Sequence, residues 1–561
     1  MDTLWQDLRF GLRVLWKNPV FTAVAVFTLV LGISANAAIY SVVKGLLLFA
    51  LPYPDDHELI HIWAANPERG FDGASVSYPN YLDWRAGNQT FQDIALYDNA
   101  SFNLTGIGEP ERISGLLASA NLFAVLERDP AVGRAFVSDE DRAGADAVAV
   151  LSHGLWQRRF AGDPHILGKT LSLDGEAHTI IGIMPADFFF PSRQTDIWVP
   201  HRLNPEDAPR GSGRFGSLGR LKNGVPIEAA TSDLKTIAGQ LAQEYPNENK
   251  GWTVSLVPLR RQMADADMRR IVLTMYLAVV FVLLIACANV ANLLLARAGG
   301  REREIALRMA MGGGRRRLMK QLMTESFLLA ALGGIGGMIG GYWFLKALLL
   351  LAPEEAANVD QIRMDMPVLL YTVGITFLTG LLFGLAPALQ GTRSQIQNSL
   401  KEGAQSHTGG PRHRLLKTLV VVEVALALML LVSGGLMVRS FMAQMGVDPG
   451  FDPKNLLSAR ITLPASKYAE SPQRDAFFKE VLARVRAIPG VRAAGAVQSP
   501  PLGGSSTFSG ITIEGKPPAQ PGERPLVGYM IITPDYFQAI GIPLLIGRLF
   551  TEQDGQGHPA A

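Results

Sequence analysis

Five stretches of the chain stay apolar and nearly free of charge for long enough to cross a bilayer. They run from Asn18 to Val43, Ile271 to Ala296, Ser326 to Leu345, Met366 to Thr392 and Leu415 to Met437, the last interrupted by Glu423. The third remains apolar beyond Lys346, through Ala347 to Leu351. A hydrocarbon core takes about 20 apolar residues in helical form, because lipid offers backbone groups no partner outside the segment. The pattern therefore predicts a multi-pass α-helical membrane protein with about five transmembrane helices. Ala35-Asn36-Ala37 resembles a signal-peptidase site, with Arg9, Arg13 and Lys17 as the basic leader. The apolar run is longer than the roughly 7–15 residues of a signal-peptide core, so a retained anchor is expected.

Residues 49–268 read differently. Short apolar runs separated by turn dipeptides predict a mixed α+β domain outside the membrane. Its clearest hairpin is Thr170–Leu173, an Asp174-Gly175 turn, and His178–Ile183; helices are expected at Pro79–Gly87 and Ile227–Tyr245. The expected partition is: 1–48, N-terminus and first span; 49–268, first extracytoplasmic domain; 269–296, second span; 297–324, cytoplasmic loop. It continues with 325–351, third span; 352–366, short outer loop; 367–391, fourth span; 392–414, cytoplasmic linker; 415–440, fifth span; and 441–561, a partial second extracytoplasmic domain.

Basic residues orient the spans. Arg9, Arg13 and Lys17 precede the first. Arg297, Arg301, Arg303, Arg308, Arg315, Arg316, Arg317 and Lys320 lie between the second and third, and Arg393, Lys401, Arg412, Arg414 and Lys417 between the fourth and fifth. The loop between the third and fourth has Arg363 alone, beside Glu354, Glu355, Asp360 and Asp365. The positive-inside rule then puts the N-terminus in the cytoplasm and both long segments outside. Composition agrees: 561 residues with 18% charged and 48% apolar, and mean hydropathy +0.17, argue against a purely soluble protein. A net charge of +2 gives no reason to expect nucleic acid as a partner, and the single cysteine, Cys287, rules out an intrachain disulfide.

The plan repeats. Ala120-Asn121-Leu122-Phe123 followed by Gly133-Arg134-Ala135-Phe136 recurs as Pro534-Asp535-Tyr536-Phe537 followed by Gly547-Arg548-Leu549-Phe550. Acidic Asp139, Glu140 and Asp141 trail one copy, Glu552 and Asp554 the other. The unit is one span, one outer domain and three spans, so the second copy is expected to be truncated at the C-terminus.

Four segments could carry chemistry. His57-Glu58-Leu59-Ile60-His61 matches H-E-x-x-H, in which two histidines one helical turn apart hold zinc while the glutamate activates water. The prolines before it and the short run to Asn66-Pro67 favour a strand or edge loop instead. Gly162–Thr170 approaches the P-loop pattern but has one residue too many, and a strand is expected where the phosphate cradle needs a helix N-terminus. Gly333/Gly337, Gly336/Gly340 and Gly337/Gly341 form overlapping G-x-x-x-G pairs that predict a packing helix in the membrane. Arg301-Glu302-Arg303-Glu304-Ile305-Ala306-Leu307-Arg308-Met309-Ala310-Met311 predicts a short amphipathic cytoplasmic helix ended by Gly312–Gly314, with Glu304 able to pair with Arg308. It could be a basic topological anchor, a contact to anionic lipid or a docking surface. Within the membrane, Glu423, near the cytoplasmic end of its span, is expected to snorkel or to pair with Arg414 or Lys417, and Asn289 and Asn292 to bond across helices near the cytoplasmic face.

Ala288-Asn289-Val290-Ala291-Asn292-Leu293-Leu294-Leu295-Ala296-Arg297, then Arg301–Arg308, Gln321–Ser326 and the glycine-rich span, resemble the FtsX-like permease domain of macrolide-exporter-type ABC transporters. Asp163-Pro164 to Pro185 and the Gly-Arg-x-Phe repeats resemble that family's periplasmic core domain. Leu8–Arg13 and the duplicated plan resemble the orphan permeases of acidobacterial type. Met311–Gly314 departs from the family's usual Leu-Gly-Ala-type ending.

The resemblance implies a bacterial inner-membrane permease subunit with no ATPase site, cofactor, metal or catalytic residue of its own. In that reading Arg301, Glu302, Arg303, Glu304, Ile305, Leu307, Arg308 and Met309 form a coupling helix gripped by a separate ABC ATPase. Motion would pass along the first two spans to a periplasmic partner or cargo, in a pseudo-dimer or homodimer. A zinc peptidase using His57, Glu58 and His61, or a membrane scaffold or signalling protein, are the rivals.

Overall fold

A computed structural model of the chain describes residues 2–48, 51–204, 206, 208–263, 266–300, 315–351, 362–391, 411–463, 467–468, 470–501, 503, 507–513, 515, 525–551 and 553–554. They divide into two compact units, one from residues 1–49 and 264–446, the other from residues 50–263 and 447–561.

The first unit is helical. An N-terminal helix, Asp2–Trp16, leads to the first span, Pro19–Val43, whose end loosens into a π-helical turn at Lys44–Leu48. The second span lies in Ala266–Gly300, the third in Arg315–Leu350, the fourth in Met366–Gly391 and the fifth in Pro411–Met445. Among the described residues these are five helices long and apolar enough to cross a membrane. Pro19 sits in the first turn, where its missing N–H leaves no hydrogen bond unmade. The third helix extends beyond its apolar run to take in Arg317 and Lys320, exposed basic residues of the kind that can reach the headgroup zone.

The second unit is α+β, so the chain combines a multi-pass helical membrane fold with an α+β domain. Its strands are β1 (Leu59–Asn66), β2 (Phe71–Ala74), β3 (Phe91–Thr105), β4 (Glu111–Ala118), β5 (Val132–Gly133), β6 (Val148–Leu151), β7 (Thr170–Leu173), β8 (Glu176–Ile183), β9 (Ile197–Pro200), β10 (Gly216–Leu221), β11 (Thr253–Pro258), β12 (Thr507–Gly510) and β13 (Leu526–Tyr529). The first eleven form one mixed sheet, ordered β11-β1-β10-β3-β4-β9-β6-β8-β5, with β2 on β1 and β7 bridging β3 and β8. Asp174 and Gly175 both take positive φ, the type I′ geometry that matches the twist of the β7–β8 hairpin. Helices Tyr78–Gly87 and Ile227–Glu244 bury Tyr81, Trp84, Leu234 and Leu241 against Ile60, Ile62, Ile94 and Leu96. A second cluster gathers Leu155, Ile166, Leu171, Ile180 and Ile197.

The sequence repeat is a repeat of hydrogen bonds. In the first copy the Leu96 N–H donates to Ser119 Oγ (2.9 Å); in the second the Ala496 N–H donates to Thr533 Oγ1 (2.8 Å). Tyr97 pairs with Ala118, and Val497 bridges to Ile532. Each copy continues into a one-turn helix, Leu122–Val125 or Tyr536–Ala539. Each ends in an arginine clasp. Arg134 grips Glu140 with two nitrogens (2.6 and 3.0 Å) while the Val137 N–H donates to the same carboxylate (2.9 Å). Arg548 grips Asp554 (2.6 and 2.7 Å) while the Thr551 N–H donates to it (2.8 Å). The sheet context differs. Val132 pairs with Ile183 of β8, whereas Leu545 and Ile546 are 90% and 92% exposed.

Glu140 is nearly buried, so Glu140→Ala leaves the Arg134 guanidinium and the Val137 N–H without their acceptor. A loss of about 1–3 kcal/mol is expected, read as earlier thermal unfolding and faster proteolysis of the purified chain. Unchanged unfolding would show that the clasp is ornamental.

Candidate functional site

The H-E-x-x-H segment does not form the helix that zinc chemistry requires. Asp56–Glu58 is a single 3₁₀ turn and Leu59 already begins β1, so His57 and His61 do not occupy one helical face. β1 is also no edge strand over Leu59–Ile62, where β10 flanks it on one side and β11 takes up from Ile60 on the other. His61 is buried, its Nε2 2.8 Å from the Tyr97 hydroxyl, and burial lowers its pKa to about 4. Glu58 lies 3.5 Å from Arg220, a buried guanidinium that also donates to the carbonyls of Val125 (2.7 Å) and Pro54 (3.2 Å). The glutamate that would serve as base is therefore a counter-ion. A shallow depression of about 370 Å³ beside His57 and Glu58 is lined by Leu221, Val225 and Pro258. Among the described residues no group of three or more His, Cys, Asp or Glu is placed to hold a metal ion.

The P-loop look-alike is a capped loop. The Asp163 carboxylate accepts from the His165 N–H (2.9 Å) and from Lys169 Nζ (2.6 Å), and Thr170 opens a strand. The lysine that would meet phosphate is already paired with carboxylate.

The densest packing in the membrane unit is where the first and third spans meet. A Cβ built on Gly333 would stand 2.6 Å from Leu29, on Gly336 2.6 Å from Val30, on Gly337 2.6 Å from Ile33 and on Gly340 2.5 Å from Ser34. On Gly341 it would stand 3.0 Å from Met364 and 3.2 Å from the Ser34 carbonyl. The first span is also tied to the second. Asn36, fully buried, donates from Nδ2 to the Val279 carbonyl (2.8 Å) and to the Gly32 carbonyl one turn back (2.9 Å). Asn36 thus makes the interhelical bond expected of Asn289 and Asn292. Those two bridge no helices among the described residues, and Asn292 Oδ1 is buried without a partner.

At the far end of the first span Lys44 is ion-paired with Asp365, at the head of the fourth. Tyr40 stacks on Tyr371 with ring centroids 3.8 Å apart, and the Tyr371 hydroxyl lies 3.1 Å from that of Tyr276 on the second span. Gly45, within the π-helical turn, sits where a Cβ would meet Ile362 at 2.9 Å. Three spans are thereby joined at one end by a tyrosine cluster and an ion pair. Glu423 is half-exposed on the fifth span, and among the described side chains it has no partner; the expected pairing with Lys417 is not formed, six residues along the helix being too far round to meet.

Residues 22–237 match the MacB-like periplasmic core domain family and residues 276–396 the FtsX-like permease C-terminal family, together more than half of the chain. The chain belongs to the FtsX/MacB-type ABC permeases. Relatives of this permease include the macrolide export ATP-binding/permease protein MacB of Marinobacter nauticus, 26% identical over 400 residues, covering 68% of this chain and 59% of the relative. The probable syringafactin export ATP-binding/permease protein SyfD of Pseudomonas syringae pv. tomato is 25% identical over 278 residues, covering 49% and 40%. The permease thus spans between two-fifths and three-fifths of the length of these relatives. Among solved structures, the periplasmic region of MacB from Actinobacillus actinomycetemcomitans matches with TM-score 0.27 and 14% identity, covering 39% of this chain and 94% of that one.

The expected coupling residues Arg301, Glu302, Arg303, Glu304, Ile305, Leu307, Arg308 and Met309 lie outside the described residues. The glycines all lie within the third span. Asn36 sits inside a cleavage-site look-alike; an asparagine well inside an apolar span is its signal in the sequence.

Two outcomes follow for the permease. Gly337→Val forces β-branched bulk into Ile33, so the first and third spans must part at a cost of about 1–3 kcal/mol. The detergent-solubilised variant should melt earlier, and a cross-link between cysteines placed at residues 30 and 340, on the same two helices, should form less efficiently. His61 and His201 are both held neutral by burial, His201 at a pKa of about 3 with the Arg214 charge adding to the effect. Unfolded histidines titrate near 6.5, so this stability is complete above that pH. It drains away as pH falls from about 6.5 to 4 for His61 and to 3 for His201, by up to about 1.4 kcal/mol per pH unit for each histidine. Unfolding temperature should drop more steeply from pH 7 to pH 5 in the wild type than in His61→Gln, and parallel curves would contradict this.

Proposed function

We propose that this permease is one subunit of an ABC transporter whose ATPase is a separate chain. The ATPase docks at Arg301–Met311, between the second and third spans, and ATP hydrolysis there moves the helices. The first and second spans carry the motion to the α+β unit, which acts on a periplasmic partner or cargo. The basic bias of the loops supports a cytoplasmic N-terminus in the bacterial inner membrane. The names of the relatives, each an ATP-binding/permease protein, support an ATP-driven cycle.

The observation that carries this reading is the double fastening of the first span, to the second through Asn36 and to the third through the glycine contacts. A push on the segment between the second and third spans then reaches the first without slack, because close-packed interiors transmit strain. No observation favours the peptidase, since its histidines do not share a helical face.

Co-purification tests the docking site. Glu304→Lys with Arg308→Glu should cut the ATPase recovered with the full chain at least about tenfold, the loss expected when roughly 1.4 kcal/mol of contact is removed. Undiminished recovery rejects the site. Maleimide labelling of single cysteines beside Arg315 should occur from the cytoplasmic side, and labelling from the periplasm would reverse the topology. A scaffold without an ATPase would show no ATPase in the wild-type preparation.

A further inference from the structure

The N-terminal helix has one packed face and one uncovered face. On the packed face Gly11, Val14 and Leu15 are buried, and a Cβ on Gly11 would meet Leu328 of the third span at 2.6 Å. Asp7 is half-buried and falls on that same side at helical spacing. On the other face Trp5 is 63% exposed, Leu12 52% and Trp16 88%. Arg9 and Arg13 are exposed among them, Lys17 follows, and the Arg9 guanidinium lies over the Trp5 ring at 5.9 Å.

The helix is fastened in this attitude. Asn18 Nδ2 donates to the Val14 carbonyl (2.9 Å) and Thr22 Oγ1 to the Leu15 carbonyl (2.9 Å), so its last turn is capped by the head of the first span. Arg297 of the second span reaches the same Val14 carbonyl (3.4 Å) and covers the Phe21 ring at 4.8 Å. The first span starts at Pro19, three residues after the helix ends, so the uncovered face stands at the level where the chain enters the bilayer.

We propose that this face is a binding surface for anionic phospholipid. Trp5, Leu12 and Trp16 enter the interfacial zone, where indole rings partition, while Arg9, Arg13 and Lys17 meet lipid phosphates. The charge is of one sign, and the hydrophobic members are those suited to a membrane interface. A soluble anion would find no use for the tryptophans. The surface depends on the membrane-spanning fold alone and stands whether or not an ATPase drives the chain.

The test uses the full chain in nanodiscs of phosphatidylglycerol and phosphatidylethanolamine. Native mass spectrometry should show phosphatidylglycerol retained in preference to phosphatidylethanolamine. Arg9→Gln/Arg13→Gln/Lys17→Gln should lower that preference several-fold, up to about fivefold for each cation removed. The charge-preserving Arg9→Lys/Arg13→Lys/Lys17→Arg should keep it, which separates lipid recognition from misfolding. Brominated lipid should quench wild-type tryptophan emission more than that of Trp5→Phe/Trp16→Phe. An unaltered lipid preference in the glutamine variant overturns the proposal. So does equal quenching of the two proteins, which would mean that Trp5 and Trp16 stay out of the lipid interface.

Discussion

Two helices in a bilayer gain little by hiding apolar side chains from each other, because the lipid around them is equally apolar. What holds them is how near their backbones can come, and at the meeting of the first and third spans that nearness is set by glycine. Leu29, Val30, Ile33 and Ser34 occupy the places where side chains at Gly333, Gly336, Gly337 and Gly340 would otherwise stand. The rest of the membrane unit leans on this contact. With the first span seated, Asn36 is in reach of the Val279 carbonyl, and Lys44 and Tyr40 are in reach of Asp365 and Tyr371. Each tie is polar or aromatic, directional and confined to a few atoms, which is the kind of bond that survives in a medium offering no hydrophobic drive.

The α+β unit is held by other means. Its sheet buries apolar side chains on both sides of central strands such as β6 and β9, and its buried polar groups bond within the domain: Arg220 to backbone carbonyls and Glu58, His61 Nε2 to Tyr97. The duplicated motif shows which parts of such a domain are local. The turn, the one-turn helix and the arginine clasp recur because their hydrogen bonds join residues three to six positions apart, apart from the one strand pair that precedes them. The sheet partners do not recur among the described residues, because strands such as β8 and β9 reach the motif only through long-range pairing.

The spans, the β7–β8 hairpin and the helices near residues 79–87 and 227–245 were legible in the linear pattern, since each depends on periodicity and turn chemistry within a short window. So was the family, through local motifs on the permease and core-domain segments. The glycine spacing pointed to close packing but could not name the partner helix. Nor does the linear pattern distinguish Asn36 from Asn289 and Asn292 as the one that bonds across helices, because the direction in which an asparagine faces depends on how the helix is turned.

The sequence by itself determined that this chain enters the membrane repeatedly, carries a mixed domain between spans and repeats its own design, because hydropathy, turn residues and motif spacing are properties of neighbouring positions. Tertiary structure alone decided that Glu58 answers a buried arginine, that His61 meets Tyr97, and that the first span is the one clasped on two sides. These depend on residues dozens to hundreds of positions apart meeting within a few ångströms, which no local pattern encodes.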